Sequence, residues 1–269
     1  MTEMNVPAVT VTEVVLPGKV EPSGLRLVQR TLPQPAAGQA LVRVESTAIS
    51  FAESAMRRGR YHGQPPFPFV PGYDLVGIVE AVGPGVDRAL AGRRVAALTK
   101  TGGWATAALL TAADLVEVPG SVDADEAETL IVNGLTAYQM LHRSAKVRAG
   151  QTVLVLGASG GVGTILVQLA RHAGARVIGT ASPRHHDALR ALGVEPADYR
   201  DPGLAARVRR ASSMTPALRC PASCGCWRNW RSGTTCPPAG TRASTTSGQA
   251  QESRTRPGGK RSGPGCAPI

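Results

Sequence analysis

Residues 152–173 constrain the fold more than any other stretch of this chain. An apolar run, Thr152-Val153-Leu154-Val155-Leu156, leads into Gly157-Ala158-Ser159-Gly160-Gly161-Val162-Gly163, and an amphipathic segment follows to Ala173. A strand that turns into a helix through glycines has a recurring physical use. The glycines let the backbone turn tightly and come close to a ligand. The first amides of the helix, which lack partners inside it, meet an anionic group. Ser159, Gly160, Gly161, Val162 and Gly163 are therefore the residues placed to hold a pyrophosphate, in a parallel α/β sheet. The alternative, a structural turn in some other α/β protein, must treat the strand–turn–helix context as coincidence.

The next strand, at 176–180, bears on which dinucleotide is held. A sheet that binds NAD usually carries Asp or Glu at this strand's end, accepting from the ribose hydroxyls. Here Thr180, Ser182 and Arg184 occupy that end, and the first acid is Asp187. Hydroxyls and a guanidinium fork suit a 2′-phosphate, so NADP is the expected cofactor. His185 and His186 read as solvated side chains on a helix surface.

Upstream, residues 123–144 open with acids and close on Leu-His-Arg-Ser, the charge order that suits a helix macrodipole, with Gly134 marking a break. Residues 8–15, 25–30, 40–49, 75–82, 94–98, 104–110 and 115–118 are Val- and Leu-rich runs bounded by Gly and Pro, and read as strands. One short helix at 51–58 interrupts them, capped by Ser50 and stopped by Gly59. The expected organisation is a β-barrel-type domain over residues 1–122, part of a doubly wound parallel sheet over 123–211, and a tail from 212 to 269.

Within the first part, Ser50-Phe51-Ala52-Glu53, Arg58-Gly59-Arg60-Tyr61, Pro71-Gly72-Tyr73-Asp74-Leu75-Val76-Gly77-Ile78-Val79, Val82-Gly83-Pro84-Gly85-Val86 and Gly92-Arg93-Arg94-Val95 follow one another in order. Their order and spacing resemble the GroES-like catalytic domain of the medium-chain dehydrogenases and reductases. The Ala-x-Gly-Gly-Val-Gly form of the later turn resembles that of quinone oxidoreductases and synaptic-vesicle-protein-like reductases. The resemblance runs over residues 10–210. It implies a GroES-like domain followed by a Rossmann sheet, hydride transfer from NADPH to a quinone or an α,β-unsaturated carbonyl, and a homodimer for an intact relative. It also implies that Asn133 and Thr136 line the nicotinamide side and that Tyr199 lies near the adenosine phosphate.

The departures from that family carry chemistry. Its zinc-dependent members place a His where Tyr73 stands and a Cys near Thr47, and tetrahedral zinc requires such thiolate or imidazole donors. Neither position offers one, so no metal is expected. Asp74 reads as a structural acid at a turn. No His, Cys or carboxylate group stands out as proton donor, although Ser50, Tyr61 and Tyr73 sit in segments that would form the cleft.

Composition matters most at the C-terminal end. Ser213 to Ile269 hold seven arginines, Lys260 and a single acid, Glu252, out of 30 basic and 19 acidic residues in all. The first 212 residues therefore carry a net charge of only +4, and a nucleic-acid partner is not expected. All five cysteines also lie in this segment, and Leu218 and Ile269 are its only Leu, Ile, Val or Phe. Ordering each residue costs about 1–2 kcal/mol, while burying one aliphatic side chain returns about 1.5–3 kcal/mol. Such a segment is expected to stay disordered.

Three accounts of the tail compete: a basic arm for acidic partners, a metal site at Cys220, Cys224, Cys226 and Cys236, and a shifted reading frame. The cysteine spacing lacks paired C-x2-C ligands and no His lies nearby. The frameshift fits the Arg-, Ala-, Gly-, Pro- and Ser-rich composition best, because the codons of residues 239–249 permit Trp, Phe and Tyr in another frame. The start of the chain lacks a charged segment leading into an apolar run, and no stretch approaches the roughly 18 apolar residues of a membrane helix. A cytoplasmic protein is the expectation.

Overall fold

The computed structural model describes residues 8–210 together with Leu218 and Arg219. The expectations for the cysteines, the frame and the order of the tail lie outside the described residues.

The first part is built from antiparallel strands. Strands β1 (Val9–Val15) and β2 (Arg26–Leu32) form a two-stranded hairpin. A five-stranded sheet follows, from β3 (Gln39–Ser46), β4 (Asp74–Val82), β5 (Arg94–Leu98), β6 (Ala107–Thr111) and β7 (Val116–Glu117), in the order β6-β3-β4-β5-β7. Its core alternates as a half-buried sheet should: Ala40, Val42, Leu75, Val79 and Val95 are buried together. Gly77 has a sequence-level reason to be glycine, because a Cβ there would overlap the Arg43 carbonyl of the neighbouring strand. Strand β6 starts later than the sequence pattern indicates, at Ala107. Residues 99–104 instead fold back on the 70–73 segment, with the amides of Thr99 and Lys100 both donating to the Tyr73 carbonyl at 2.9 Å.

Between β3 and β4 lies helix α1 (Phe51–Arg57). Its N-terminus is a capping box: the Ser50 hydroxyl accepts from the Ala52 amide, and Glu53 reaches back to the Ser50 amide. Gly59, at φ +65, follows its end.

The expected long helix at 123–144 forms without a break at Gly134. Helix α2 (Ala124–Thr129) is capped by Asp123. It passes through a π-helical turn (Leu130–Gly134) into α3 (Leu135–Tyr138) and a second π-helical turn (Gln139–Ser144). Gly134 keeps right-handed helical angles, φ −66° and ψ −48°. What changes there is the hydrogen-bond register, which widens to i→i+5.

The remaining described residues form a parallel sheet: β8 (Thr152–Leu156), helix α4 (Gly161–His172), β9 (Arg176–Ala181), α5 (His186–Ala191), β10 (Glu195–Asp198), α6 (Leu204–Arg210) and β11 (Leu218–Arg219). Strand order is β10-β9-β8-β11, all parallel. The main core, including Val153, Val155, Leu166, Val167, Ala170, Val177 and Leu189, lies between this sheet and its helices, with Ala137 and Leu141 packed in from the 124–144 segment. Strand β11 is a two-residue pairing at Leu218 and Arg219, beyond the expected boundary at 211. Two residues beyond that point pair with Val155 and Leu156 on the open side of β8.

Candidate functional site

Because the four strands are parallel, their C-terminal ends share one edge. The chain leaves β8 toward β9 and β10 on one side, then returns to place β11 on the other. Strand order therefore reverses between β8 and β11, and a crevice at such a reversal is where open α/β sheets bind ligands.

The glycine turn fills that position. Gly157 sits at φ +76, a left-handed conformation that costs glycine nothing. The Gly160 amide donates to the Gly157 carbonyl at 3.0 Å, closing the turn. Gly163 is buried against it, and a Cβ there would overlap the Gly157 carbonyl and the backbone of Ala158. Ser159, Gly160 and Gly161 are exposed and Val162 is half-buried. No side chain caps α4, whose N-cap is Gly160. First-turn amides without a side-chain cap, on an exposed glycine turn, fit a pyrophosphate group.

Two other expected residues reach this turn. The Asn133 carboxamide lies against Gly161, with its Nδ2 3.0 Å from where a Cβ would stand. Thr180, buried at the end of β9, accepts from the Gly157 amide through its hydroxyl at 3.1 Å, and its carbonyl accepts from the Ala158 amide at 2.9 Å. The Thr180 hydroxyl thus anchors the glycine turn. Thr136 is half-buried on α3, which packs against α4.

The residues placed for a 2′-phosphate lie farther along the same edge. Ser182 is half-buried and Arg184 exposed in the short 3-10 turn after β9. The Arg184 Nε donates to His185 Nε2 at 3.0 Å, and the His186 Nε2 lies 3.3 Å from the Ala181 carbonyl. Both histidines are half-buried with partners, which corrects their reading as solvated. Tyr199, after β10, is exposed with the Arg200 guanidinium 5.1 Å from its ring centre. The three strand ends supply these groups from the same side.

A second cluster, in the β-rich part, gathers Ser50, Tyr61 and Tyr73 of the expected cleft segments with acids whose meeting the sequence did not show. Tyr73 and Tyr61 have their hydroxyls 3.0 Å apart and their rings edge to face. Burial, then the bond to Tyr61, pushes the Tyr73 phenol above its ordinary range. Glu53, almost fully buried, accepts from the Tyr73 amide at 2.9 Å as well as from the Ser50 amide and hydroxyl. Asp74 is no turn residue. It opens β4, is 4% exposed, and faces Glu128 of α2. Thr47 donates its hydroxyl to the Asp74 carbonyl at 2.8 Å. The positions where zinc-dependent proteins carry ligands are thus occupied by a phenol pair and a backbone-bonded hydroxyl. Among the described residues no group of three His, Cys, Asp or Glu is arranged for a metal. The capping pattern Ser50-x-x-Glu53 was a signal for Glu53, whereas nothing in the sequence separates buried Glu128 from its exposed neighbours Asp125 and Glu126.

Comparison with known proteins agrees with this geometry. The alcohol dehydrogenase GroES-like domain matches residues 36–120. The rat synaptic vesicle membrane protein VAT-1 homolog is 39% identical over 169 residues, covering 62% of this chain and 42% of the relative. Rat quinone oxidoreductase is 39% identical over 151 residues, covering 56% and 46%. The chain thus spans less than half the length of these curated relatives. A mycobacterial protein solved with NADPH superposes with a TM-score of 0.66 at 34% identity, over 74% of this chain and 63% of the other. Among the described residues no helix is long and apolar enough to cross a membrane.

Proposed function

From its similarity to the alcohol dehydrogenase GroES-like domain, to VAT-1 homologs and to quinone oxidoreductase, we propose that this sequence is of the medium-chain dehydrogenase/reductase superfamily, on the quinone-oxidoreductase-like side, and encodes an NADPH-dependent, zinc-independent reductase of quinones or α,β-unsaturated carbonyls. The observation that carries the reading is the uncapped glycine turn at the strand-order reversal, with Asn133 against Gly161. NADPH, when bound, supplies the hydride. The chain's own residues orient and neutralise. Amides of Gly161, Val162 and Gly163, beside Ser159 and Gly160, hold the pyrophosphate. Ser182 and Arg184 hold the 2′-phosphate, and Tyr199 lies on the adenosine side. Asn133 and Thr136 lie on the nicotinamide side. Tyr61, the more open phenol of the pair, is our candidate for returning a proton to the reduced substrate, with the Tyr73 hydroxyl bonded behind it. We read it as a cytoplasmic enzyme that acts on small molecules, a reading with which the small net charge of residues 1–212 agrees.

A second reading is favoured by composition. Residues 213–269 hold almost no aliphatic side chains, so the chain as given is a frame-disrupted, non-catalytic product that retains only part of the dinucleotide site. Both readings are tested by comparing this chain with one whose frame is restored after about residue 211. The restored protein is expected to reduce quinones or enones and to prefer NADPH. Arg184→Ala should cut that preference by about ten- to a hundredfold, the worth of a charged hydrogen bond of about 1.5–3 kcal/mol. Equal affinity for NADPH and NADH before mutation overturns the cofactor assignment, and an inactive restored protein overturns the reductase. Turnover by the 269-residue chain at an ordinary enzymatic rate overturns the second reading.

A further inference from the structure

Three carboxylic acids from three elements meet where the β-rich part contacts the 124–144 helical segment. Glu53 comes from α1, Asp74 from β4 and Glu128 from α2, and each is at least nine-tenths buried. Among the described residues, none of the ion pairs involves any of the three. Glu53 commits both oxygens to Ser50 and to the Tyr73 amide. Asp74 and Glu128 face each other, both buried, where β4 packs against α2. The Val132 backbone, in the first π-helical turn, lies beside Asp74, and the Ala48 backbone lies beside Glu128. Oε1 of Glu128 is buried without a partner.

Two ionised carboxylates offer only acceptors and cannot hydrogen-bond each other. A bond between them requires one proton. We propose that Asp74 and Glu128 share a single proton near neutral pH, and that this acid–carboxylate bond is a pH-sensitive clasp joining the β-rich part to the helical segment. The protonated Asp74 carboxyl donates to the Glu128 carboxylate; at higher pH the proton leaves to solvent and the bond is lost.

Each element facing the pair favours retention of the proton. Helix α1 contributes Glu53, α2 contributes Asp125, and the Tyr73 phenol, pushed above its ordinary range by burial, stands neutral beside β4. Burial, then Glu128, then Glu53 push the Asp74 carboxyl up to about 8, against the smaller opposing pull of the Val132 backbone. Burial likewise raises Glu128, opposed by Asp74 and the Ala48 backbone. Loss of the proton would leave negative charges together with no cation paired to them among the described residues.

Trp104 can report on the clasp, because its indole Nε1 donates to the Ala48 carbonyl at 2.8 Å, and the Ala48 backbone lies beside Glu128. The full chain with Trp227→Phe and Trp230→Phe keeps Trp104 as its only indole. Its emission is followed from about pH 6 to about pH 9.5, below ordinary Tyr ionisation. The expected result is a one-proton transition centred near 8, lost in Asp74→Asn, which keeps a donor toward Glu128 but cannot ionise. A transition that survives Asp74→Asn overturns the proposal. Should that variant fail to fold, carboxyl-carbon NMR of the unsubstituted chain decides. A carboxyl that titrates above pH 7, assigned to Asp74 or Glu128, supports the clasp; completion of every Asp and Glu titration below about pH 6 overturns it.

Discussion

Replacing Glu53 by Gln tests a buried and densely bonded side chain of the β-rich part. Oε2 accepts from the Ser50 amide at 2.8 Å and from its hydroxyl at 2.5 Å, while Oε1 accepts from the Tyr73 amide at 2.9 Å. A carboxylate accepts at both ends, but a carboxamide accepts at one and donates at the other. In either orientation the new NH2 faces a backbone N–H. The Ser50 hydroxyl can rotate to accept, but neither amide can. Stranding one buried amide costs about 1–3 kcal/mol. A compensating gain arises because Glu53 raises the Asp74 acid through its charge. While Asp74 holds its proton that relief is small, and once Asp74 ionises it grows. Glu53→Gln should therefore destabilise by about 1–3 kcal/mol near pH 6, and by less near pH 9. Urea unfolding at both pH values measures this as a lower midpoint with unchanged slope. A loss under about 0.5 kcal/mol near pH 6, or one that grows with pH, would refute the reasoning.

The unsubstituted chain should show an unusual pH dependence. Asp74 has its acid raised from 3.8 to about 8 on folding, so between those values the folded state holds a proton that the unfolded state has released. Its contribution to stability is largest below pH 4 and is lost as pH rises through 8, with a slope approaching about 1.4 kcal/mol per pH unit from this site. Glu195 has the opposite sign: the Arg207 and Arg176 guanidinium groups hold it below its usual range, so its contribution is present above the ordinary Glu value and is lost as pH falls. Equilibrium unfolding across pH 4–9 checks both, and stability that rises steadily from pH 5 to 8 counts against the Asp74 assignment. Gly163→Ala should cost about 1–3 kcal/mol or more, because its Cβ meets backbone that cannot yield. Gly160→Ala meets one atom at 3.3 Å and should melt closer to the unsubstituted protein. The reverse order in thermal melts would contradict the packing of the turn.

The fold was legible wherever a local rule and the tertiary context agreed. The strand at 152–156 and the Ser50-capped helix appear within a residue of their expected places, and the helix after the glycine turn begins three residues early, at Gly161, because apolar runs, glycines and capping chemistry act over short distances. Gly134 misled, since propensity penalises glycine in a helix but packing of the 124–144 segment onto the parallel sheet absorbed that penalty. Its widened register carries no local mark. The candidate site divides in the same way. The pyrophosphate turn and Asn133 could be named from spacing and resemblance. The use of the Thr180 hydroxyl by Gly157, and the encounter of Asp74 with Glu128, depend on residues 23 and 54 positions apart in sequence. A buried acid reads like an exposed one until its neighbours are known.

Strand β11 sharpens what this chain can bind. It places two residues on the far side of the strand-order reversal, while β8, β9 and β10 with their helices form a continuous core on the near side. Ser182, Arg184 and Tyr199 lie at the ends of near-side strands, as does the glycine turn. Past Arg219 the sequence offers almost no aliphatic side chains, and burial is what stabilises a strand pairing against its entropy. Binding energy should then be uneven along the dinucleotide. On the proposed reading, the 2′-phosphoadenosine and pyrophosphate end would meet groups that are held in place, whereas among the described residues the nicotinamide end would meet only Asn133 and Thr136. NADPH should accordingly bind this 269-residue chain within about tenfold of 2′-phospho-ADP-ribose, a difference under about 1.4 kcal/mol. In a frame-restored protein the whole cofactor should win by a wider margin. Calorimetric titration of both ligands into both proteins measures the two margins. If NADPH binds the chain as given more than about a hundredfold tighter than the fragment, or about 2.7 kcal/mol, residues beyond 211 must grip the nicotinamide end, and the composition argument against them fails.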